Sequence, residues 1–212
     1  MKRLRAPFGA IMLILTLAVA PLQAANKELK TVVSAAEVLN DLATIPLRCI
    51  PPAMLREARG VAIFPHMVKV GLLIDRRYGH GVMLVRQPDG SWSDPVFITL
   101  EGGGVGLEAG IESTDLVLVF KTEKSVERIL RGNGRLTVGT DAAVAAGPIG
   151  RDAETATEGR ILPEIYSYSK SHGLFAGVSL TGARLKVDPQ ANETFYGLRG
   201  GLPQVEPGVN NH

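Results

Sequence analysis

Between Gly60 and Phe120 the sequence is a succession of short apolar runs: GVAIF, HMVKVGLLID, YGHGVMLVR, WSDPVFITL, VGLEAGI and DLVLVF. Each has the length and the Val/Ile/Leu content of a strand. Turn-forming clusters cut them apart, PDG at 88–90 and EGGG at 101–104. At hairpin spacing such clusters join antiparallel neighbours. Any fold for this chain must therefore accommodate a mainly antiparallel sheet.

Helical periodicity flanks that block. Residues 27–45, KELKTVVSAAEVLNDLATI, put Leu29, Val32, Val33, Ala36, Leu39 and Ala43 at helical spacing, which predicts an amphipathic helix with those residues inward. IPLRCIPP breaks it. Pro51 or Pro52 then opens a short helix, PAMLREAR, with Gly60 as its C-terminal cap. KTEKSVERILRG at 121–132 predicts a third helix with Val126, Ile129 and Leu130 inward. Strand-like runs follow: GRLTVG, AAVAAGPIG, EIYSYSK, GLFAGVSL and ARLKV. Asp188 and Pro189 then mark the N-cap and first residue of a last helix. The expected class is α+β: a mainly antiparallel β-sheet or barrel-like core with flanking helices.

The N-terminus reads as a targeting segment. A basic MKRLR precedes an apolar FGAIMLILTLAVAPLQ, with small residues for cleavage near Ala24 and Ala25. The run is short of the roughly 20 residues of a bilayer span. The expected organisation is a signal peptide at 1–24, one domain at 25–200 and a flexible tail at 201–212. The expected location is periplasmic or secreted, with membrane association open. The whole chain carries 23 Lys and Arg against 21 Asp and Glu. Loss of Lys2, Arg3 and Arg5 leaves 20 against 21, a net charge of −1. A near-neutral chain gives no global argument for nucleic acid, so an anionic partner must be met by a local patch. The lone Cys49 cannot form an internal disulfide and reads as a small buried hydrophobe.

Catalytic and metal chemistry find little support. Ser179 lies in GVSLTG, where Thr181 replaces the second glycine of a nucleophile elbow, and it falls mid-strand. YSYSKSHG reads better as a strand, with Tyr166, Tyr168 and Lys170 on one face and Ser167, Ser169 and Ser171 on the other. His66, His80, His172 and His212 lack zinc spacing. GGGVGLEAG has Leu107 where a dinucleotide fingerprint needs its third glycine, and a strand follows it. No catalytic residue, metal or cofactor is expected. Cations are more informative. They form three groups: Lys121, Lys124, Arg128 and Arg131 on a helix; Lys69, Arg76, Arg77, His80 and Arg86 on strands; and Arg151, Lys170, Arg184 and Lys186.

Several stretches together resemble the SYLF domain family. They are IPPAMLREARGVAIFPHMVKVGLLI, GHGVMLVRQPDGSWSDPVFITLEGGGVGLEAGIESTDLVLVF, GTDAAVAAGPIGR, IYSYSKSHGLFAGVSLTGARLKVD and ANETFYG, in order over about residues 35–197. The resemblance implies a non-enzymatic module that binds phosphoinositides and other anionic phospholipids, and in some eukaryotic members binds and bundles actin. The targeting segment and the lack of an attached SH3 domain point to a bacterial envelope protein, where actin is not an expected partner. The residues expected to contact lipid phosphate are Lys69, Arg76, Arg77 and Arg151. Basic residues near the domain's start, Lys27, Lys30, Arg48, Arg56 and Arg59, match the family's lipid surface more loosely. An envelope scaffold that binds protein without lipid dependence is the alternative.

Overall fold

A computed structural model describes residues 27–44, 50–71, 74–105, 110–131, 135–148, 163–171 and 180–197. Its centre is an eight-stranded sheet, curled into a half-barrel, with the strand order β5-β8-β3-β2-β1-β4-β7-β6. The strands are β1 Gly60–Gly71, β2 Ile74–Val85, β3 Val96–Val105, β4 Gly110–Phe120, β5 Arg135–Thr137, β6 Val144–Ala146, β7 Ile165–Ser171 and β8 Arg184–Val187. Every pairing is antiparallel except β6 with β7. Among the described residues four helices flank the sheet: α1 at 27–44, α2 Pro52–Arg56, α3 Glu123–Leu130 and α4 Pro189–Tyr196.

Both faces of this sheet are buried, so its central strands are apolar at successive positions rather than at alternate ones. One face packs against α3. Ala62, Phe64, Met83, Val85, Ile98, Leu100, Leu116, Leu118 and Phe120 meet Val126 and Ile129 there. The opposite face packs against α1, α2 and α4, where Val61, Ile63, Val82, Phe97, Val117 and Val119 meet Ala35, Val38, Leu42 and Ala191. The run LVLVF of β4 fills both cores, since its side chains alternate and all are fully buried.

In α1 the inward stripe runs one position round from the one expected. Ala35, Val38 and Leu42 are buried with Val32 and Leu39 beside them, while Leu29 and Val33 are half-exposed. The stripe begins at Glu28, a charge that periodicity assigns to the outside. α2 stops at Arg56 with Glu57 as its cap, so Gly60 opens β1 and caps no helix. A Cβ at Gly60 would press on the Val126 and Met83 side chains, and that contact is its reason to be glycine. EGGG is no turn either. Glu101–Gly104 lie within β3, and Gly102 approaches the Ala183 backbone so closely that an added Cβ would sit 3.3 Å from it. The PDG turn does join β2 to β3, with Gly90 at φ +86°. Cys49, Ser179, the two residues between β1 and β2, and the segments 1–24 and 201–212 lie outside the described residues.

β1 carries one extra residue between Phe64 and Met67 relative to both neighbours. This bulge contains His66, a non-glycine residue at φ +51°. Asp115, buried on β4, accepts the His66 backbone N–H at 2.9 Å and also faces its ring. Opposite the bulge, a side chain at Gly81 would run into the Ile63 carbonyl and the Phe64 ring.

α4 is locked on by Asn192. Its amide oxygen accepts from Phe97 N–H at 3.0 Å, and its amide nitrogen donates to Phe97 C=O at 3.0 Å, in the manner of one further strand residue. Asp188 caps the helix by accepting from Ala191 N–H, as its position before Pro189 predicts. Replacing Asn192 by Ala leaves the buried Phe97 N–H without its acceptor, while the Phe97 carbonyl keeps the Asp188 N–H at 2.9 Å. The expected cost is about 1–3 kcal/mol, read as a lowered urea midpoint with an unchanged slope.

Candidate functional site

The outer half of the β1–β2 hairpin brings three of the four expected cations together. Beyond the bulge, Val68 pairs with Tyr78, Lys69 with Arg77, and Val70 with Arg76. Paired residues share a face. Lys69 and Arg77 follow the alternation of Met67 and Gly79 and lie on the α3 side. Arg76 lies on the α1 side with Val68, Val70 and Tyr78, which are 39 %, 49 % and 46 % exposed. Arg76 is exposed and Arg77 half-buried. Their register partners on β3 are Gly103 and Gly102, so no β3 side chain flanks either guanidinium at its own level. Like charges directly across a ladder repel, and Lys69 across from Arg77 is such a pair. Arg151 lies outside the described residues.

The remaining cations are mostly committed to the fold. Lys121 bonds Glu57 at 2.6 Å, Arg59 meets Glu123 at 3.5 Å, and Lys170 bonds Asp41 of α1 at 2.7 Å. Arg128 donates to the Asp141 carbonyl, and Arg131 faces Glu127 at 3.8 Å. The helical stripe read from the sequence is thus largely a set of structural contacts, with Lys124 exposed on its outer side. Arg86 donates to the carbonyls of Gly90 and Leu55 and stacks 3.9 Å over Trp92. Lys186 bonds Glu101 at 2.7 Å, which holds its ammonium above the ordinary lysine range.

Next to the exposed apolar residues sits a polar cluster that periodicity did not reveal. The Tyr78 hydroxyl lies 3.1 Å from His80 Nε2, and the two rings meet edge to face. His80 Nδ1 faces Asp188 Oδ2 at 3.8 Å. Burial, with the Asp188 and Glu101 charges, pushes the Tyr78 hydroxyl above its ordinary value. Burial, with the Lys27 charge, pulls His80 below its own. Thr99 lies directly across from His80 on β3. Its hydroxyl oxygen and the Glu28 Oε2 atom of α1 are both buried without a hydrogen-bond partner. The sequence signal that could have exposed this patch was VKV followed by RRY, two runs whose pairing alternates cation with apolar residue.

Among the described residues no group of His, Cys, Asp or Glu could hold a metal ion. No described helix is long and apolar enough to cross a membrane.

A curled, mainly antiparallel sheet sandwiched between helices defines an α+β domain, and comparison with known proteins places it. A family profile described as "Ysc84: Las17-binding protein actin regulator" matches residues 101–204. The SH3 domain-containing YSC84-like protein 1 of Xenopus laevis is 40 % identical over 168 residues, covering 77 % of this chain and 50 % of the relative. Its Homo sapiens counterpart is 40 % identical over 167 residues, covering 76 % and 48 %. Protein YSC84 of Saccharomyces cerevisiae is 41 % identical over 150 residues, covering 70 % and 32 %. No solved structure matches. The chain belongs to the SYLF, or Ysc84-like, family, and it spans about half the length, or less, of these curated relatives.

Asp115 holds the bulge that sets the hairpin's phase. Asp115→Ala should cost about 0.5–1.5 kcal/mol, the net worth of the part-buried hydrogen bond it removes, measured by urea unfolding. Asp115→Asn, which keeps an acceptor oxygen, should recover most of it.

Proposed function

We propose that this protein is a non-enzymatic module of the bacterial cell envelope that binds anionic lipid head groups through the outer half of the β1–β2 hairpin. The observation that carries this reading is the juxtaposition of Lys69 with Arg77, and of Arg76 with exposed Val68, Val70 and Tyr78. Cations at the level of lipid phosphate, with apolar and tyrosine side chains beside them, suit the boundary between head groups and acyl chains. Lys69, Arg76 and Arg77 donate charge-assisted hydrogen bonds to phosphate oxygens in this reading. Arg151 is proposed as a fourth contact on the sequence alone. Phosphoinositide-like head groups fit the clustered charge, and any anionic phospholipid supplies the same phosphate chemistry. The apolar segment before residue 25 is proposed to direct export, which would bring the domain to a membrane surface.

A second reading is an envelope scaffold whose partner is a protein. It is favoured by the family description, which names Las17 binding and actin regulation. The same exposed valines and Tyr78 would then meet a protein surface, with no lipid dependence. Those partners belong to the family description; an exported protein would need another.

Co-sedimentation of the processed protein with vesicles separates the two. Binding should require anionic lipid and fall steeply with salt, because surface charge is screened within about 8 Å at physiological ionic strength. A Lys69→Ala, Arg76→Ala, Arg77→Ala triple variant should bind about 100-fold more weakly, at roughly 1 kcal/mol per cation. Equal pelleting on neutral vesicles, or on none, would favour the scaffold.

A further inference from the structure

We propose that Tyr78 is a specificity-determining residue of the hairpin surface: its phenol oxygen is turned outward as an acceptor for a head-group hydroxyl, and His80 and Asp188 are the positioning residues that hold it so. The proposal deepens the lipid reading above, on which it rests, by naming the class of head group. That class is a phosphate diester bearing a hydroxyl, as a glycerol head group does. Three distances carry it. The Tyr78 hydroxyl lies 3.1 Å from His80 Nε2, His80 Nδ1 faces Asp188 Oδ2 at 3.8 Å, and Asp188 Oδ1 accepts from Ala191 N–H at 3.1 Å.

These contacts fix where each proton sits. The α4 cap holds Asp188 in place, with one carboxylate oxygen committed to the helix and the other presented to the imidazole. A neutral imidazole has one N–H and one lone pair. A carboxylate repels the lone pair and attracts the N–H, so the proton is on Nδ1 and Nε2 is an acceptor. The Tyr78 hydroxyl therefore donates to Nε2. Glu101, directly across the ladder from Tyr78, is bonded instead to Lys186 at 2.7 Å. With its one proton directed into the protein, the phenol oxygen offers only lone pairs to a ligand. A phosphate diester oxygen has no proton to give it, and a hydroxyl has.

The lean of the ring also sets its level. Arg76 shares the face of Tyr78 and stands two residues nearer the hairpin end, roughly 6.8 Å along the strand. The phenol leans the other way, toward His80, and the two rings meet edge to face with centroids 4.9 Å apart. A hairpin that enters a bilayer by its end puts exposed Val68 and Val70 lowest and Arg76 at the phosphates. The phenol oxygen then lies behind Arg76, where head-group hydroxyls stand above the phosphate plane.

The test compares vesicles of phosphatidylglycerol with vesicles of phosphatidylmethanol, each at the same fraction in phosphatidylcholine. It uses the processed protein at about pH 8, where an imidazole is neutral. Both lipids are singly charged phosphate diesters, and they differ in the head-group hydroxyls. The parent should bind phosphatidylglycerol about fivefold more tightly, the worth of one net hydrogen bond. Tyr78→Phe keeps the ring and should bind both lipids as the parent binds phosphatidylmethanol. His80→Ala should lose the preference. His80→Gln, whose amide oxygen can accept the Tyr78 proton, should restore it. A merely structural role for His80 would weaken both lipids together and leave their ratio unchanged. Equal binding of the two lipids by the parent, or a preference that survives in Tyr78→Phe, overturns the role of Tyr78 and leaves the lipid reading standing. A preference kept in His80→Ala overturns the positioning by His80. Binding to neither lipid overturns the lipid reading and this proposal with it.

Discussion

The geometry of the hairpin depends on one extra residue in a central strand. β1 has sheet neighbours on both sides, and both see the same insertion between Phe64 and Met67. An extra residue reverses which face each later side chain occupies. Without it, Met67 and Lys69 would point where Val68 and Val70 now point, a polar side chain would enter the α1 side, and the valines would face α3. His66 bears the strained conformation that this requires, and Asp115 compensates by accepting its N–H from within the core. Gly81 leaves the space into which the bulged backbone moves.

Packing on two faces makes the phase consequential. Because α3 seals one side and α1, α2 and α4 the other, a strand residue has no neutral place to go until the strands run past the helices. The half-hairpin beyond the bulge is where they do. There the alternation first shows solvent-exposed apolar residues next to cations. Some surface charges tie elements together, such as Lys170 with Asp41 of α1 and Lys121 with Glu57 near α2. The distinction between charges that hold the fold and charges available to a partner is a property of register, and it separates Arg76 from Lys121 although both are simple surface cations in the sequence.

Much of the frame was legible where a local rule decides the outcome. Asp188–Pro189 starts α4, Val126 and Ile129 face inward from α3, and Tyr166 and Tyr168 share a face of β7 because each follows from neighbours a few residues away. The errors came where two local readings compete and a distant contact chooses. In α1 the larger side chains Leu29 and Val33 outweigh Ala35 on any hydropathy count, yet the space above the sheet fits the Ala35, Val38 and Leu42 stripe. The EGGG run has turn composition, and only the pairing of β3 with β8, which brings in Ala183, shows that its glycines serve close approach. Of the candidate site, the cations were visible as residues. Their arrangement was not, because it hangs on a bulge with no sequence signature of its own, and because the cluster beside it joins Tyr78 and His80 of β2 to Asp188 at the α4 cap.

The central claim is that the outer β1–β2 hairpin is the surface that meets anionic lipid, and fluorescence measures it most directly. Trp92 is the single tryptophan, paired with Arg86 some eight residues from Tyr78 along β2, about 26 Å at strand rise. A Tyr78→Trp, Trp92→Phe protein carries its one indole in the proposed contact instead. On vesicles containing phosphatidylglycerol its emission should shift to the blue, while the parent's Trp92 emission stays in place. A shift of Trp92 with none at position 78 would contradict the account.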